Sequence, residues 1–182
     1  MSRRRLSVAT GLLVALAIVP AAQAQEAGKP LLPGGASSIQ ESYGDWRVLC
    51  NVVSQTKQCA MNQQRIDAKG GQLVVAVSLT PTGNGGASGS LLMPFGLDLG
   101  AGVSLSLDDG SGGKPIGFKT CMPRGCFVPL TFDAGTVSTL RAGKELRLTV
   151  RAAESTDNKP TVFSLVLNGF GPAFDRTSEL LK

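Results

Sequence analysis

From Tyr43 onward, apolar residues recur at every second position in short runs. Leu73, Val75, Val77 and Leu79 alternate with smaller or polar neighbours, Val103, Leu105 and Leu107 with Ser104 and Ser106, and Leu146, Leu148 and Val150 with Arg147, Thr149 and Arg151. Phe163, Leu165 and Leu167 share one face in the same way. A period of two is the signature of a strand with one buried face. Trp46–Cys50, Gln58–Ile66, Ile116–Met122 and Cys126–Phe132 supply further strands, joined by turn-rich segments such as PTGNGG at 81–86 and DDGSGGK at 108–114. About eight short strands with no long helix between them predict an all-β chain, a single-domain antiparallel β-sandwich. One or two short helices are expected besides, a single turn at 134–142 and a C-terminal segment. There Pro172 opens the helix and Phe174, Ser178 and Leu181 share a face.

The first residues obey another rule. Arg3, Arg4 and Arg5 precede an apolar run from Leu6 to Val19, Pro20 breaks it, and Ala22-Gln23-Ala24 follows. Residues 1–24 therefore read as a secretory signal peptide cut after Ala24, the run being too short for the roughly 20 residues that span a bilayer. Residues 25–42, rich in Gly, Ala, Pro and Ser, read as a flexible N-terminal tail, leaving 43–182 as the domain. Removing the leader takes away three arginines and no acid, so the formal charge falls from +5 by those three to +2. So small a charge, spread along the chain, gives no electrostatic footprint for nucleic acid.

Composition narrows the chemistry. The chain has no histidine, which excludes Ser-His-Asp and Cys-His catalysis and any imidazole metal site. Its four cysteines, Cys50, Cys59, Cys121 and Cys126, all follow the leader. An even number in an exported chain reads as disulfides, and the C-x8-C and C-x4-C spacings match neither a zinc knuckle nor a redox pair. Three connectivities are open; the near-neighbour set is the simplest, because each pair can bridge adjacent strands. Asp108-Asp109-Gly110 places two carboxylates together but fits a turn better than a calcium loop. Gly110-Ser111-Gly112-Gly113-Lys114 lacks the flanking residues of a phosphate loop. Arg147 and Arg151, with Arg141 and Lys144 nearby, read as a solvated sheet face. Trp46 beside Cys50 reads as a core residue packed on a disulfide. The stretch around Leu92, Met93, Pro94 and Phe95 is the most apolar one outside a clean strand, read first as an irregular connection covering the core and, functionally, as a candidate interaction loop.

Several of these segments, in order, resemble one family. Gly44-Asp45-Trp46-Arg47-Val48-Leu49-Cys50 and then Cys59-Ala60-Met61-Asn62-Gln63 are similar to the opening of the invasion-associated locus B family. Met93-Pro94-Phe95-Gly96, the run Gly102 to Asp108, Cys121-Met122-Pro123-Arg124-Gly125-Cys126 and Leu165-Val166-Leu167-Asn168-Gly169-Phe170 continue the resemblance to about Phe174. The resemblance implies a small, secreted, disulfide-containing bacterial envelope protein, some of whose relatives are linked to entry into host cells. It maps the four cysteines onto the family's own and brings no catalytic residue, cofactor or substrate.

The expectation is therefore a non-enzymatic protein of the periplasm or outer-membrane surface, without metal or cofactor, that meets a protein, glycan or membrane-surface partner of unknown identity. A periplasmic accessory factor for envelope integrity or assembly is the alternative, and a hydrolase working through carboxylates alone a distant third.

Overall fold

The structure is a computed structural model that describes residues 31–67, 69–110, 112–154 and 159–182. The expected leader, residues 25–30 of the expected tail and Ser111 of the glycine-rich run lie outside these residues. In chain order come β1 (Ser38–Tyr43), β2 (Trp46–Val53), β3 (Thr56–Ile66), β4 (Leu73–Pro81), β5 (Ala87–Met93), β6 (Ser104–Leu107), β7 (Thr120–Met122) and β8 (Gly125–Phe132). Then follow α1 (Ala134–Ala142), β9 (Glu145–Arg151), β10 (Pro160–Val166) and α2 (Phe170–Leu181).

The strands form two antiparallel sheets, one of seven in the order β1-β2-β3-β4-β5-β8-β7 and one of three in the order β10-β9-β6. Tight turns account for much of this order. Ser54 and Gln55 both take positive φ between Val53 and Thr56, the two-residue turn whose twist matches its flanking strands. Gly44-Asp45 and Pro123-Arg124 close the β1–β2 and β7–β8 hairpins in two residues each.

One face of the large sheet is the core. Trp46, Val48 and Cys50 of β2, Cys59 and Met61 of β3, Val75, Val77 and Leu79 of β4, and Val128 and Leu130 of β8 all point inward and are buried. Across from them lie Leu146, Leu148 and Val150 of β9, Leu165 of β10 and the inner face of α2. The molecule is thus a β-sandwich whose second layer is a small sheet completed by helix. Each fully buried aliphatic or aromatic side chain contributes roughly 1.5–3 kcal/mol of transfer free energy.

Sequence and structure differ in five places. Residues 38–42, expected in the tail, form most of β1, and Leu32 before them is buried. Their polar alternation hides the strand, because β1 is an edge whose inward positions, Ile39, Glu41 and Tyr43, are only half-buried. β5 is also absent from the expectation: Ala87-Ser88-Gly89-Ser90 carries no apolar alternation, yet the segment is a central strand between β4 and β8. At Gly89 an added Cβ would sit 1.9 Å from the Ser78 carbonyl oxygen, so glycine permits the close pairing. Of Ile116–Met122, only Thr120–Met122 is strand; Ile116 makes an isolated bridge to Val103.

The helices depart as well. α1 runs for nine residues, capped by Asp133, whose carboxylate accepts from the Thr136 N–H at 2.6 Å. That bond holds the Asp133 carboxyl below the usual range. α2 begins two residues before Pro172 and buries Phe170, Ala173, Phe174, Thr177 and Leu180, leaving Ser178 and Leu181 half-buried at the side. Tertiary packing selected this stripe, which is rotated from the one expected.

Candidate functional site

Both cysteine pairs are cross-strand neighbours. Cys50 faces Cys59 across β2–β3 with Cα atoms 4.1 Å apart, and Cys121 faces Cys126 across β7–β8 at 3.9 Å. The near-neighbour connectivity is therefore the one formed. Cys50–Cys59 is buried under the core, whereas Cys121 is exposed on the edge strand.

Two distant segments of the sequence meet at a seam. The Asp45 N–H donates to the Asn168 carbonyl at 3.1 Å, and the Asn168 side chain donates to the Asp45 carboxylate at 3.2 Å. Trp46 Nε1 donates to the Val166 carbonyl at 3.0 Å, and its ring meets Phe170 edge-to-face, centroids 5.2 Å apart. Gln63 joins them, its Nε2 donating to the same Val166 oxygen at 2.7 Å, while its Oε1 has no partner among the described residues. Gly169, at φ +88°, lies so close to Tyr43 that a Cβ there would fall 1.9 Å from the Tyr43 carbonyl oxygen. The seam fastens β2, β3, β10 and α2 together. This is structural work, and Trp46 belongs to it as expected of a core residue.

The expected interaction loop divides. Leu92 and Met93 belong to strand β5, and Met93 is buried. Beyond Pro94, Gly96 and Asp98 bond backbone-to-backbone with Ala153 and Arg151, and Leu97 bridges to Ala152, so the connection ties β5 to the end of β9. Of Leu92, Met93, Pro94 and Phe95, only Phe95, 59% exposed, presents a large exposed apolar side chain. The carboxylates of the 108–110 turn are engaged too. Asp108 accepts from the N–H groups of Lys144 and Glu145, and Asp109 pairs with Arg147 at 3.1 Å.

A concave feature lies elsewhere, on the outer face of the large sheet. A groove of about 460 Å³ crosses β2, β3, β4, β5 and β8. Strand register orders its lining into two tracks. Arg47 lies opposite Asn62, Asn62 opposite Ser78 and Ser78 opposite Ser90, a polar row running perpendicular to the strands. Beside it Gln64, Ala76, Leu92 and Phe127 align in the same way, apolar but for Gln64. Leu92, read as part of a loop, is thus a groove residue on a central strand. Arg124 stands at the far end on the turn between Cys121 and Cys126, so the exposed disulfide holds it in place.

The electrostatics of the groove are simple. Arg47 and Arg124 make no ion pair and no side-chain hydrogen bond among the described residues. The lining contains one acid, Asp45, and its carboxylate accepts from Asn168. The lining offers hydroxyls, amides, one aromatic ring and two guanidinium forks. Among the described residues, no group of three or more Cys, Asp or Glu gathers as metal ligands, and no helix is long and apolar enough to cross a membrane. Sequence reading missed the groove because its residues share a face only after five strands are put in order. Arg47, Asn62 and Arg124 do lie inside the segments that carried the family resemblance.

Comparison with known proteins agrees with that resemblance. The family model described as invasion associated locus B (IalB) protein matches residues 46–178. An invasion protein B homolog of Brucella abortus (strain 2308) is 43% identical over 151 residues, 83% of this chain and 86% of its own. Invasion protein B of Bartonella bacilliformis is 37% identical over 153 residues, 83% of this chain and 81% of its own. The crystal structure of invasion associated protein b from Bartonella henselae superposes with a TM-score of 0.72 at 36% identity, covering 79% of this chain and 97% of that one. The residues matched by the family model include both disulfides, Trp46, Gln63, Asn168 and Phe170 of the seam, and every groove-lining residue except Asp45, and on this evidence the chain belongs to the invasion-associated locus B family.

Proposed function

We propose that this protein is an exported, non-catalytic binding protein of the bacterial envelope that meets its partner through the groove on the outer face of its large sheet. The observation that carries the reading is the pair of unpartnered arginines, Arg47 and Arg124, at the two ends of a preformed polar and apolar lining. Preformed grooves with a few convergent polar groups are the usual form of a binding site. The leader-like first 24 residues and two disulfides support export. The relatives named for invasion support a partner on a host cell. The acids support a non-catalytic role, since Glu41, Asp109 and Asp175 are each committed to an arginine.

The test is binding of the labelled, exported chain to host-type cells and to isolated bacterial envelopes, set beside Ser78→Trp, which fills the groove from a half-buried strand position. Saturable binding that Ser78→Trp abolishes, at an unchanged melting temperature, is the expected result. Binding that survives Ser78→Trp would move the site elsewhere, and no saturable binding to either surface would end the reading. Protease treatment of intact cells, with a known periplasmic protein as control, places the protein outside or inside the outer membrane. Protection there would turn the partner search to the periplasm, where an accessory role in envelope assembly becomes the reading.

A further inference from the structure

We propose that the groove takes an acidic oligosaccharide lying across the strands of the large sheet; the proposal rests on the reading of this groove as the binding face. The polar row of Arg47, Asn62, Ser78 and Ser90 advances by one interstrand step per residue, about 4.8 Å. Leu92 and Phe127 run parallel to it in the next row. A pyranose chain has matching character, with hydroxyls around its edge and C–H surfaces on its faces, and its sugar units advance by a comparable length. The Ser78 and Ser90 hydroxyls have no hydrogen-bond partner among the described residues, and the Asn62 side chain spends one N–H on a 3.4 Å bond to Ala60. These groups are free to exchange hydrogen bonds with sugar hydroxyls, while the Phe127 ring and Leu92 pack against C–H faces.

Charge sets the class of sugar. Arg47 on β2 and Arg124 on the β7–β8 turn are four interstrand steps apart across the sheet, about 19 Å. Arg124 also lies further along the strands, five residues before Pro129, the β8 residue level with Arg47, so an oligosaccharide of several units is needed to reach both. Neither is neutralised, and each offers a planar fork suited to a carboxylate or sulfate. A peptide fits less well. Extended peptides join a sheet at a free edge and helical ones need a continuous apolar trough, whereas this groove lies on a face and is half polar. Two separated cations are also too few for a phosphate backbone.

The test is calorimetric titration of the whole exported chain with tetragalacturonate, its methyl ester, a heparin-derived tetrasaccharide and a hexaglutamate peptide. Saturable binding of an acidic tetrasaccharide is expected, weakened about tenfold or more by esterification of the uronate, by Arg47→Gln and by Arg124→Gln, with melting temperature unchanged. Preference for the sulfated chain points to an animal cell surface and preference for the uronate to a carboxylated envelope polysaccharide; either supports the proposal. It is overturned if neither acidic saccharide saturates, if the ester binds as well as the acid, if both arginine variants bind like the parent, or if hexaglutamate binds more tightly. Should Ser78→Trp abolish binding to cells or envelopes while no acidic saccharide binds, the sugar assignment falls and the binding-face reading stands. Should Ser78→Trp change neither, both fall.

Discussion

Phe170→Ala removes the ring that joins α2 to the seam between the sheets. The ring is 1% exposed, 5.2 Å from Trp46 and 6.1 Å from Phe174 between centroids. Truncating a buried phenylalanine to alanine costs about 3–5 kcal/mol, with roughly 1 kcal/mol of it belonging to the edge-to-face pair. A domain of this size is stable by about 5–15 kcal/mol, so the variant still folds but loses a large share of its margin. At roughly 2–4 °C per kcal/mol, a loss of about 4 kcal/mol lowers the melting temperature by roughly 8–16 °C. The assay is built into the chain: Trp46 is its single tryptophan and is 1% exposed, so its emission reports the seam directly. Thermal unfolding followed by Trp46 fluorescence and by far-ultraviolet circular dichroism gives the loss. A double-mutant cycle with Trp46→Leu, followed by circular dichroism because that variant lacks the tryptophan, isolates the ring pair at about 0.5–1.5 kcal/mol. A loss below about 1 kcal/mol with Trp46 emission unshifted would refute the argument, for α2 would then be held by something other than this ring.

Three further outcomes follow from other parts of the fold. Graded reductant with thiol labelling and mass spectrometry should open Cys121–Cys126 before Cys50–Cys59, because Cys121 is exposed and both members of the other pair are buried; losing the short hairpin bridge costs about 2 kcal/mol. Gly169→Ala forces φ +88° and a Cβ 1.9 Å from the Tyr43 carbonyl oxygen, so the urea midpoint should fall by the equivalent of about 2 kcal/mol or more. The Arg176 guanidinium, bonded twice to Glu41 at 2.8 Å, holds that carboxyl below its ordinary 4.5. A lowered folded value stabilises above the unfolded one and is lost as pH falls through it. The stability difference between the parent and Arg176→Gln, about 1 kcal/mol at neutral pH, should therefore shrink from about pH 5 downward; a difference that stays constant to about pH 3 would remove the pair from the stability of the fold.

Much of the architecture is legible in the chain because strands with one buried face write their period into it. β4, β6, β9 and β10 are legible as alternating runs and β2, β3 and β8 as further strand segments, with ends off by a few residues, while only the last three residues of the expected 116–122 strand form β7. β1 and β5 are not legible. At β1 the edge position leaves only half-buried contacts to record, and at β5 close pairing at Gly89 required small residues where the pattern needs large ones. The cysteines announced disulfides, but three connectivities remained until strand register set Cys50 opposite Cys59 and Cys121 opposite Cys126.

The sequence by itself determined the all-β class, the cysteine count, the absence of histidine chemistry and the family, since each is a property of local pattern or composition. Tertiary structure alone decided the seam and the groove. Gly44-Asp45-Trp46 and Asn168-Gly169-Phe170 are more than a hundred residues apart, and their hydrogen bonds exist only once α2 folds back over β2 and β3. The groove asks still more: Arg47, Asn62, Ser78, Ser90 and Phe127 come from five strands, and what aligns them is the pairing register of each strand with the next. A slip of one residue in any pairing would turn those side chains into the core, which is why a binding face built across a sheet leaves no contiguous motif to read.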